Sequence, residues 1–262
     1  MIAGQIDPII FTIGPLAVRW YGMMYLLSFV GGYFMMVHIC NLRRYPLNRE
    51  AVADLLFYAV IGVVAGGRLG YTLFYQPAYY LRHPHEILYV WQGGMSFHGG
   101  LIGVFLVLFW FAWRRSMPLL QLGDLTVAAV PIGLGLGRIG NFINGELWGR
   151  PTDLPWGLIF PAAGSQLRHP SQLYEAFFEG LVLLLVIYGL HRLGVRRGIP
   201  VAVFLLGYGL ARFSIEFVRE PDTHLGFLWG GATMGQLLSL PMMAIGVVML
   251  LWLLKRQNNE RN

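Results

Sequence analysis

Three arginines, Arg68, Arg138 and Arg212, lie inside long apolar segments of the chain. On membrane-insertion scales each costs roughly 2.5–3.5 kcal/mol at a helix centre, so each needs a partner. Guanidinium groups bind phosphate oxygens with paired hydrogen bonds. Converging arginines within a bilayer therefore favour binding of an anion, and the abundant anion there is a phospholipid headgroup.

Tyr208, Arg212 and Glu216 follow one another at intervals of four residues. In a helix this spacing places them on one face. Arg212 and Glu216 could form a purely structural ion pair, but the tyrosine one turn deeper favours a polar stripe facing other helices. Each polar residue taken singly could also extend to the headgroups without binding a ligand, and that alternative stays open.

His98 lies in the segment Gly93-Gly-Met-Ser-Phe-His-Gly-Gly100. A histidine side chain titrates near neutral pH and suits a proton acceptor, although a lone histidine is more often structural. His83 and His85 stand two residues apart around a proline, which is not a metal-ligand spacing. We therefore predict no metal site.

Gly135, Gly137 and Gly140 match the GxGxxG pattern of dinucleotide-binding proteins. No strand and no βαβ unit surround the pattern, so a dinucleotide site is rejected. Small residues in an apolar segment instead allow helices to approach closely. No G-x-S-x-G motif is present, which disfavours a serine hydrolase. A thiol that takes part in the reaction would belong to the substrate, because Cys40 is the single cysteine and lies far along its span from the polar residues.

The elements that must position these residues are membrane spans. The chain has 262 residues, of which 56% are hydrophobic and 12% charged; soluble domains average about 45–50% and about 25%. This composition predicts an all-α polytopic membrane protein, a single integral membrane domain over residues 1–262 with an extracytoplasmic loop region at about 142–170. The basic residues behind the net charge of +6 are dispersed, so no nucleic acid partner is expected. Seven transmembrane helices of roughly 20 residues are predicted, at 18–40, 51–75, 95–113, 119–141, 171–191, 199–218 and 232–254.

Basic residues in the loops predict the orientation. Eleven follow the first, third, fifth and seventh spans, against five in the other loops. By the positive-inside rule, the N-terminus is extracytoplasmic and the C-terminus cytoplasmic. The three buried arginines then fall toward the outer ends of their helices, which predicts one polar site opening toward the outer leaflet or the extracytoplasmic face. The polar residues expected in the same region are Tyr21, His98, Asn141, Asn144, Glu146, His169, Tyr174, Glu175 and Glu216.

One long string is far more specific than any of these single motifs: Gly137-Arg-Ile-Gly-Asn-Phe-Ile-Asn-Gly-Glu-Leu-Trp-Gly-Arg150. It resembles the signature of bacterial prolipoprotein diacylglyceryl transferases, and the resemblance covers nearly the whole chain. The segment between Gly157 and Arg168 is short beside some family members, so substrate contacts from that loop are not carried over. The other matching segments are Arg19-Trp-Tyr-Gly22, Gly66-Gly-Arg-Leu-Gly-Tyr71, Gly93–Gly100, Arg168-His-Pro-Ser-Gln-Leu-Tyr-Glu175 and Met234-Gly-Gln236.

The resemblance implies an enzyme of the bacterial cytoplasmic (inner) membrane. The family transfers the diacylglyceryl group of phosphatidylglycerol to the thiol of the lipobox cysteine in a preprolipoprotein signal peptide. The transfer forms a thioether, releases glycerol phosphate and is the first step of lipoprotein maturation. No cofactor is implied, and the implied partners are phosphatidylglycerol, signal peptides with a lipobox cysteine and the lipid bilayer.

The resemblance also implies roles for individual residues. Arg138 and Arg212 would hold the phosphate and stabilise the charge of the leaving group. His98 would be a candidate base for the thiol, although an arginine-polarised phosphate or another group could accept the proton instead. The expected catalytic residues are His98, Arg138, Tyr208 and Arg212, and the expected substrate-binding residues are Tyr21, Arg68, Asn141, Asn144, Glu146, Gly149 and Glu216.

Two other classes of function are weighed against this enzyme. A transporter that uses the arginines as an anion pathway would carry polar residues through the whole membrane depth. The inner halves of the spans are mostly apolar apart from Asp54 and Asp124, which disfavours transport. A noncatalytic assembly protein would tolerate Arg138→Ala or Arg212→Ala as long as the spans still inserted.

Overall fold

The computed structural model describes residues 6–221 and 226–259, and most of them are helical, as predicted. Short strands flank two of the loops and form two antiparallel pairs, β1 with β2 and β3 with β4. The strands are β1 (Ile9–Ile13), β2 (Leu16–Arg19), β3 (Leu158–Ile159) and β4 (Leu167–Arg168). The α-helices are α1 (Trp20–Arg43), α2 (Arg49–Phe74), α3 (Pro77–Arg82), α4 (Phe97–Arg114), α5 (Leu119–Ile143), α6 (Ser171–Glu175), α7 (Leu183–Arg192), α8 (Ile199–Ile215) and α9 (Met234–Asn259).

Six helical segments among the described residues are long and apolar enough to cross a membrane. They are α1, α2, α4, α5, the continuous segment Ser171–Arg192 and α9. The seventh apolar helix, α8, has 17 residues and is shorter. At 1.5 Å per residue it spans about 25 Å, against roughly 30 Å for the hydrocarbon layer.

The sixth predicted span therefore ends too late at 218. The chain leaves α8 after Ile215 and turns, so that Arg219 pairs with Gly149 in an isolated antiparallel bridge. Because of this tertiary pairing, residues 216–219 lie outside the helix, although Phe217 and Val218 continue the apolar pattern of the sequence.

Side-chain caps fix where several helices begin. Asn48 precedes α2 and accepts a hydrogen bond from the Ala51 amide at 2.9 Å, and Ser96 does the same for Gly99 at the start of α4. At α9, Thr233 and Gln236 form a reciprocal capping box, in which each side chain accepts from the other residue's amide.

The chain divides into two compact units, Met1–Arg43 with Asp124–Asn262, and Arg44–Gly123. In the Arg44–Gly123 unit, α2 and α4 pack through glycines. A Cβ added at Gly70 would lie 2.8 Å from the Gly99 Cα, so a larger residue would push these helices apart. Small residues in these two apolar helices thus allow a close approach of their backbones.

In the other unit, glycines bring α5 close to the segment Ser171–Arg192. The middle of that segment, Ala176–Val182, is a π-helix. A Cβ at Gly180 would lie 2.6 Å from the Gly135 Cα, and α9 approaches α8 in the same way at Gly209, whose added Cβ would lie 2.7 Å from Met243 Cγ. The GxGxxG segment thus serves helix packing at Gly135, whereas Gly137 has open space beside it.

Candidate active site

Glu175 is the centre of a buried ion-pair network. Its side chain, at the end of α6, is fully buried. Oε1 accepts hydrogen bonds from Arg212 and, at 2.8 Å, from Arg219 Nη1, while Oε2 lies 3.2 Å from Arg138 Nε. One carboxylate therefore holds three guanidinium groups that come from α5, from α8 and from the turn after α8.

Glu216 is the second buried carboxylate of this network. It pairs with Arg212 one turn earlier, as its spacing suggested, and lies 3.8 Å from Arg219 Nε. The Thr233 hydroxyl donates to its Oε2 at 2.5 Å. Gly235 leaves room for the carboxylate, because a Cβ there would come within 2.5 Å of Oε1.

The π-helical turn supplies a third buried carboxylate, Glu179. Its Oε2 lies 3.9 Å from Arg138 Nε, so Glu175 and Glu179 approach the same guanidinium group. Tyr208, one turn before Arg212 on α8, interacts electrostatically with Glu179 and Arg212, and its ring stacks on Phe204 with centroids 5.9 Å apart. Arg138, Tyr208, Arg212 and Glu216, which were predicted from sequence, thus share one site.

Arg138 keeps part of its binding capacity. Its side chain is 18% exposed and meets the carboxylates through Nε. Within residues 6–221 and 226–259, no hydrogen bond occupies its two terminal amino groups. These groups can donate in parallel to the oxygens of an anion, which is the geometry that guanidinium offers to phosphate.

Polar residues at the end of α5 form a second cluster in the same unit. Asn141 Nδ2 donates to Glu146 Oε1 at 2.9 Å, and Asn144 Nδ2 donates to the same oxygen at 3.2 Å. Tyr21 packs against Gly140, where an added Cβ would lie 2.8 Å from the tyrosine ring. Tyr21, Asn141, Asn144 and Glu146, all predicted, are therefore grouped around the end of this helix.

Gly149 has a structural role that depends on the absence of a side chain. Its amide donates to the His169 carbonyl at 2.9 Å, and a Cβ would meet His169 and the Val218 carbonyl at 2.6 Å. The close passage of the chain here allows the bridge between Gly149 and Arg219. Gly149 thus helps to position Arg219 in the network.

Arg68 and His98 belong to the Arg44–Gly123 unit. The guanidinium of Arg68 donates to four main-chain carbonyls between 2.6 and 3.3 Å and lies over the Tyr80 ring. Its donors hold the loop before α4. His98 is exposed near the start of α4, and its ring contacts Phe97.

Comparison with known proteins matches residues 8–252 to the family of prolipoprotein diacylglyceryl transferases. A phosphatidylglycerol–prolipoprotein diacylglyceryl transferase of Bordetella avium is 51% identical over 265 residues, with 98% of each chain covered. Proteins of the same name from Beijerinckia indica and Paramagnetospirillum magneticum are each 53% identical, over 96% of this chain and 95% of the relative. The chain belongs to this family.

In this diacylglyceryl transferase family member, two residues of the network, Glu179 and Arg219, were not predicted to lie at the site, and Glu175 was expected in the same region without an assigned role. Glu175 and Glu179 are four residues apart in an apolar segment, and Arg219 follows Arg212 by seven. An ionised carboxylate inside a membrane span is energetically costly, and this cost was the sequence feature that could have marked both glutamates as site residues. Arg219 instead resembles an ordinary loop arginine, and only the tertiary structure brings it to Glu175.

A different face of α8 from the one that carries Tyr208 and Arg212 lines an apolar cavity of about 840 Å³ in this family member. Phe178, Val182, Gly207 and Leu210 contribute to its walls, and Trp156, His169 and Tyr174 form a polar edge. The Trp156 indole donates to the Tyr174 hydroxyl at 2.7 Å. Partial burial lowers the pKa of His169, which favours the neutral ring beside Tyr174.

Proposed function

We propose that this chain transfers the diacylglyceryl group of phosphatidylglycerol to the lipobox cysteine thiol of a preprolipoprotein signal peptide. The observation that carries the proposal is the buried network in which Glu175 and Glu216 hold Arg138, Arg212 and Arg219 among apolar helices. Relatives of about half identity that bear the name of this activity support it.

In the proposed reaction the thiol sulfur attacks the glyceryl carbon that carries the phosphate. A C–S bond forms, the C–O bond breaks, and its electron pair leaves on the phosphate oxygen of glycerol phosphate. Charge develops on that oxygen and needs donors that are already in place. Arg138 and Arg212 supply them, because Glu175 fixes both guanidinium groups before the lipid arrives.

The thiol must lose its proton during the attack, since only a few per cent of a free thiol is ionised at pH 7. We retain His98 as the candidate acceptor of this proton. Tyr208 would border the reacting phosphate from α8.

The headgroup glycerol needs hydrogen-bond partners. Tyr21, Asn141, Asn144 and Glu146 supply hydroxyl, amide and carboxylate groups at the end of α5. Gly149 shapes this region by its size. We assign Arg68 to the loop before α4 instead of the lipid, because its donors are bound to main-chain carbonyls.

The proposed location is a multi-pass protein of the bacterial cytoplasmic (inner) membrane with its site toward the outer leaflet. The bias of loop arginines and lysines supports an extracytoplasmic N-terminus and a cytoplasmic C-terminus. In this arrangement the loop region at about 142–170 is extracytoplasmic and the whole chain forms one membrane domain.

The test is a reconstituted transfer assay. Purified protein in detergent receives phosphatidylglycerol and a lipobox peptide, and mass spectrometry follows the peptide. We expect a diacylglyceryl mass gain that requires the peptide cysteine and disappears in Arg138→Ala. The matched control is Arg115→Ala, because Arg115 pairs with Asp54 at a half-exposed position outside the network. No mass gain from folded protein with intact substrates would contradict the proposed function.

A further inference from the structure

Glu179 is the least satisfied charge in the network. Its side chain is fully buried, and neither carboxylate oxygen has a hydrogen-bond partner among the described residues. Its nearest cation is Arg138, whose Nε lies 3.9 Å away, beyond hydrogen-bond distance. Burial of an ionised carboxylate without hydrogen bonds is far more unfavourable than burial of the neutral acid.

The backbone holds Glu179 at this position. The residue lies in the π-helix Ala176–Val182, and such turns occur frequently at functional sites. The next residue, Gly180, is in close contact with Gly135 of α5, so the turn packs directly against the helix that carries Arg138. Glu179 therefore has little freedom to find another partner.

The charges of the network balance when every carboxyl group is ionised. Ion pairs within 4 Å link three guanidinium groups, of Arg138, Arg212 and Arg219, to three carboxylates, of Glu175, Glu179 and Glu216. A phosphodiester headgroup that enters this site adds one negative charge. A balanced buried cluster has no net positive charge left to offset it, unless one carboxylate is neutralised.

We propose that Glu179 takes up one proton when the anionic headgroup binds, so that lipid binding is coupled to protonation of this carboxylate. Glu175 and Glu216 are poorer candidates, because each is held directly by two or more partners. The proton comes from solvent and converts the carboxylate to the neutral acid. Glu179 acts through Arg138 and is a positioning residue. The inference rests on the proposed function, which places the headgroup at Arg138 and Arg212.

The pH dependence of binding follows from this coupling. The groups facing Glu179 are Glu175 on its own segment, Arg138 on α5, Tyr208 and Arg212 on α8, and Arg219 beyond α8. The arginines stay charged throughout the neutral range, and a phosphodiester keeps its single charge. Where binding takes up one proton, affinity falls with rising pH by up to tenfold per unit.

The experiment is calorimetric titration of short-chain phosphatidylglycerol into the full-length protein in detergent, without peptide. Titrations at about pH 8, in two buffers of different ionisation enthalpy, give the number of protons taken up. We expect wild-type protein to take up about one proton more than Glu179→Gln, whose amide imitates the neutral acid. Glu179→Gln should bind at least as tightly as wild type at this pH, with a flatter pH profile. Asp54→Asn, which alters an exposed carboxylate, should match wild type.

Equal proton uptake by wild type and Glu179→Gln would overturn the inference. A second measurement needs no variant: infrared difference spectra of the wild-type protein should gain the carbonyl band of a protonated carboxylic acid when lipid binds. Lipid binding without that band would also overturn it. Failure of the proposed function looks different, because wild-type protein would then bind no phosphatidylglycerol at all.

Discussion

The motif Gly-Arg-aliphatic-Gly occurs twice in membrane-spanning helices, as Gly67-Arg-Leu-Gly70 in α2 and Gly137-Arg-Ile-Gly140 in α5. The two arginines meet different partners. Arg68, only 3% exposed, donates to the carbonyls of a neighbouring loop. Arg138 meets carboxylates through Nε. The same local sequence therefore produces two kinds of buried arginine.

The two arginines differ in the hydrogen-bond donors that remain for a ligand. Main-chain carbonyls occupy the donors of Arg68 on Nε and on both terminal amino groups, so that its role is to hold the loop. Carboxylates hold Arg138 through Nε, and no hydrogen bond from the described residues occupies its terminal amino groups. Acidic side chains that fix a buried arginine without using all of its donors leave donors with which it can bind an anion.

The largest expected effect comes from Arg138→Lys. An ammonium group can neutralise charge, but it cannot pair with Glu175 and present two parallel donors to phosphate. We expect transfer to fall by about 10²–10³-fold, as for loss of one transition-state donor. The reconstituted transfer assay measures this loss of activity. Saturating lipid separates an effect on turnover from an effect on lipid binding. Near-normal turnover would contradict the phosphate-binding role and remove the contrast with Arg68.

Arg68→Lys tests the other side of the comparison with the same chemical change. Lysine retains the charge but cannot reach all four carbonyls, so some of them lose their partner at about 1–3 kcal/mol each. We expect a lower thermal-unfolding midpoint in detergent and unchanged transfer per folded molecule. A preserved midpoint combined with a loss of turnover similar to that of Arg138→Lys would mean that Arg68 binds substrate after all.

Much of this arrangement can be predicted from local sequence. Hydropathy predicts the spans, four-residue spacing allows the pairing of Arg212 with Glu216, and the clustering of polar residues predicts that Asn141, Asn144 and Glu146 lie in one region. Each of these depends on residues that are close in the chain. Their geometry follows from helix periodicity or from the end of one helix.

Long-range partners could not be predicted in the same way. Arg68 and Arg138 share a motif, but the partners of Arg68 come from a loop shaped by Gly93 and Gly94, which have φ of 84° and 73°. The partners of Arg138 are Glu175, at the end of α6, and Glu179, in the π-helical turn that follows. An extra residue in that turn changes which side chains face α5. Nothing in the apolar string Ala176–Val182 marks that change of register. The roles of Glu175, Glu179 and Arg219 therefore depend on tertiary structure.

The smallest expected effect comes from Gly180→Ala, which should shift the carboxylates around Arg138 and leave the carbonyls around Arg68 in place. Gly180→Ala places a Cβ 2.6 Å from the Gly135 Cα, a backbone contact that cannot yield by side-chain rotation. The π-helical turn must shift away from α5, and Glu175 and Glu179 move with it. We expect transfer to fall about tenfold, equivalent to ~1.4 kcal/mol.

The matched control is Gly189→Ala in α7, where an added Cβ meets no atom within 4 Å. Alanine favours a helix interior over glycine by up to about 1 kcal/mol, so this variant should be as active as wild type and no less stable. If Gly180→Ala also kept full activity, the contact with Gly135 would not set the position of the carboxylates. The placement of Arg138 would then depend on Glu175 and on the two arginines that also hold Glu175, Arg212 and Arg219, without support from the packing of the π-helical turn.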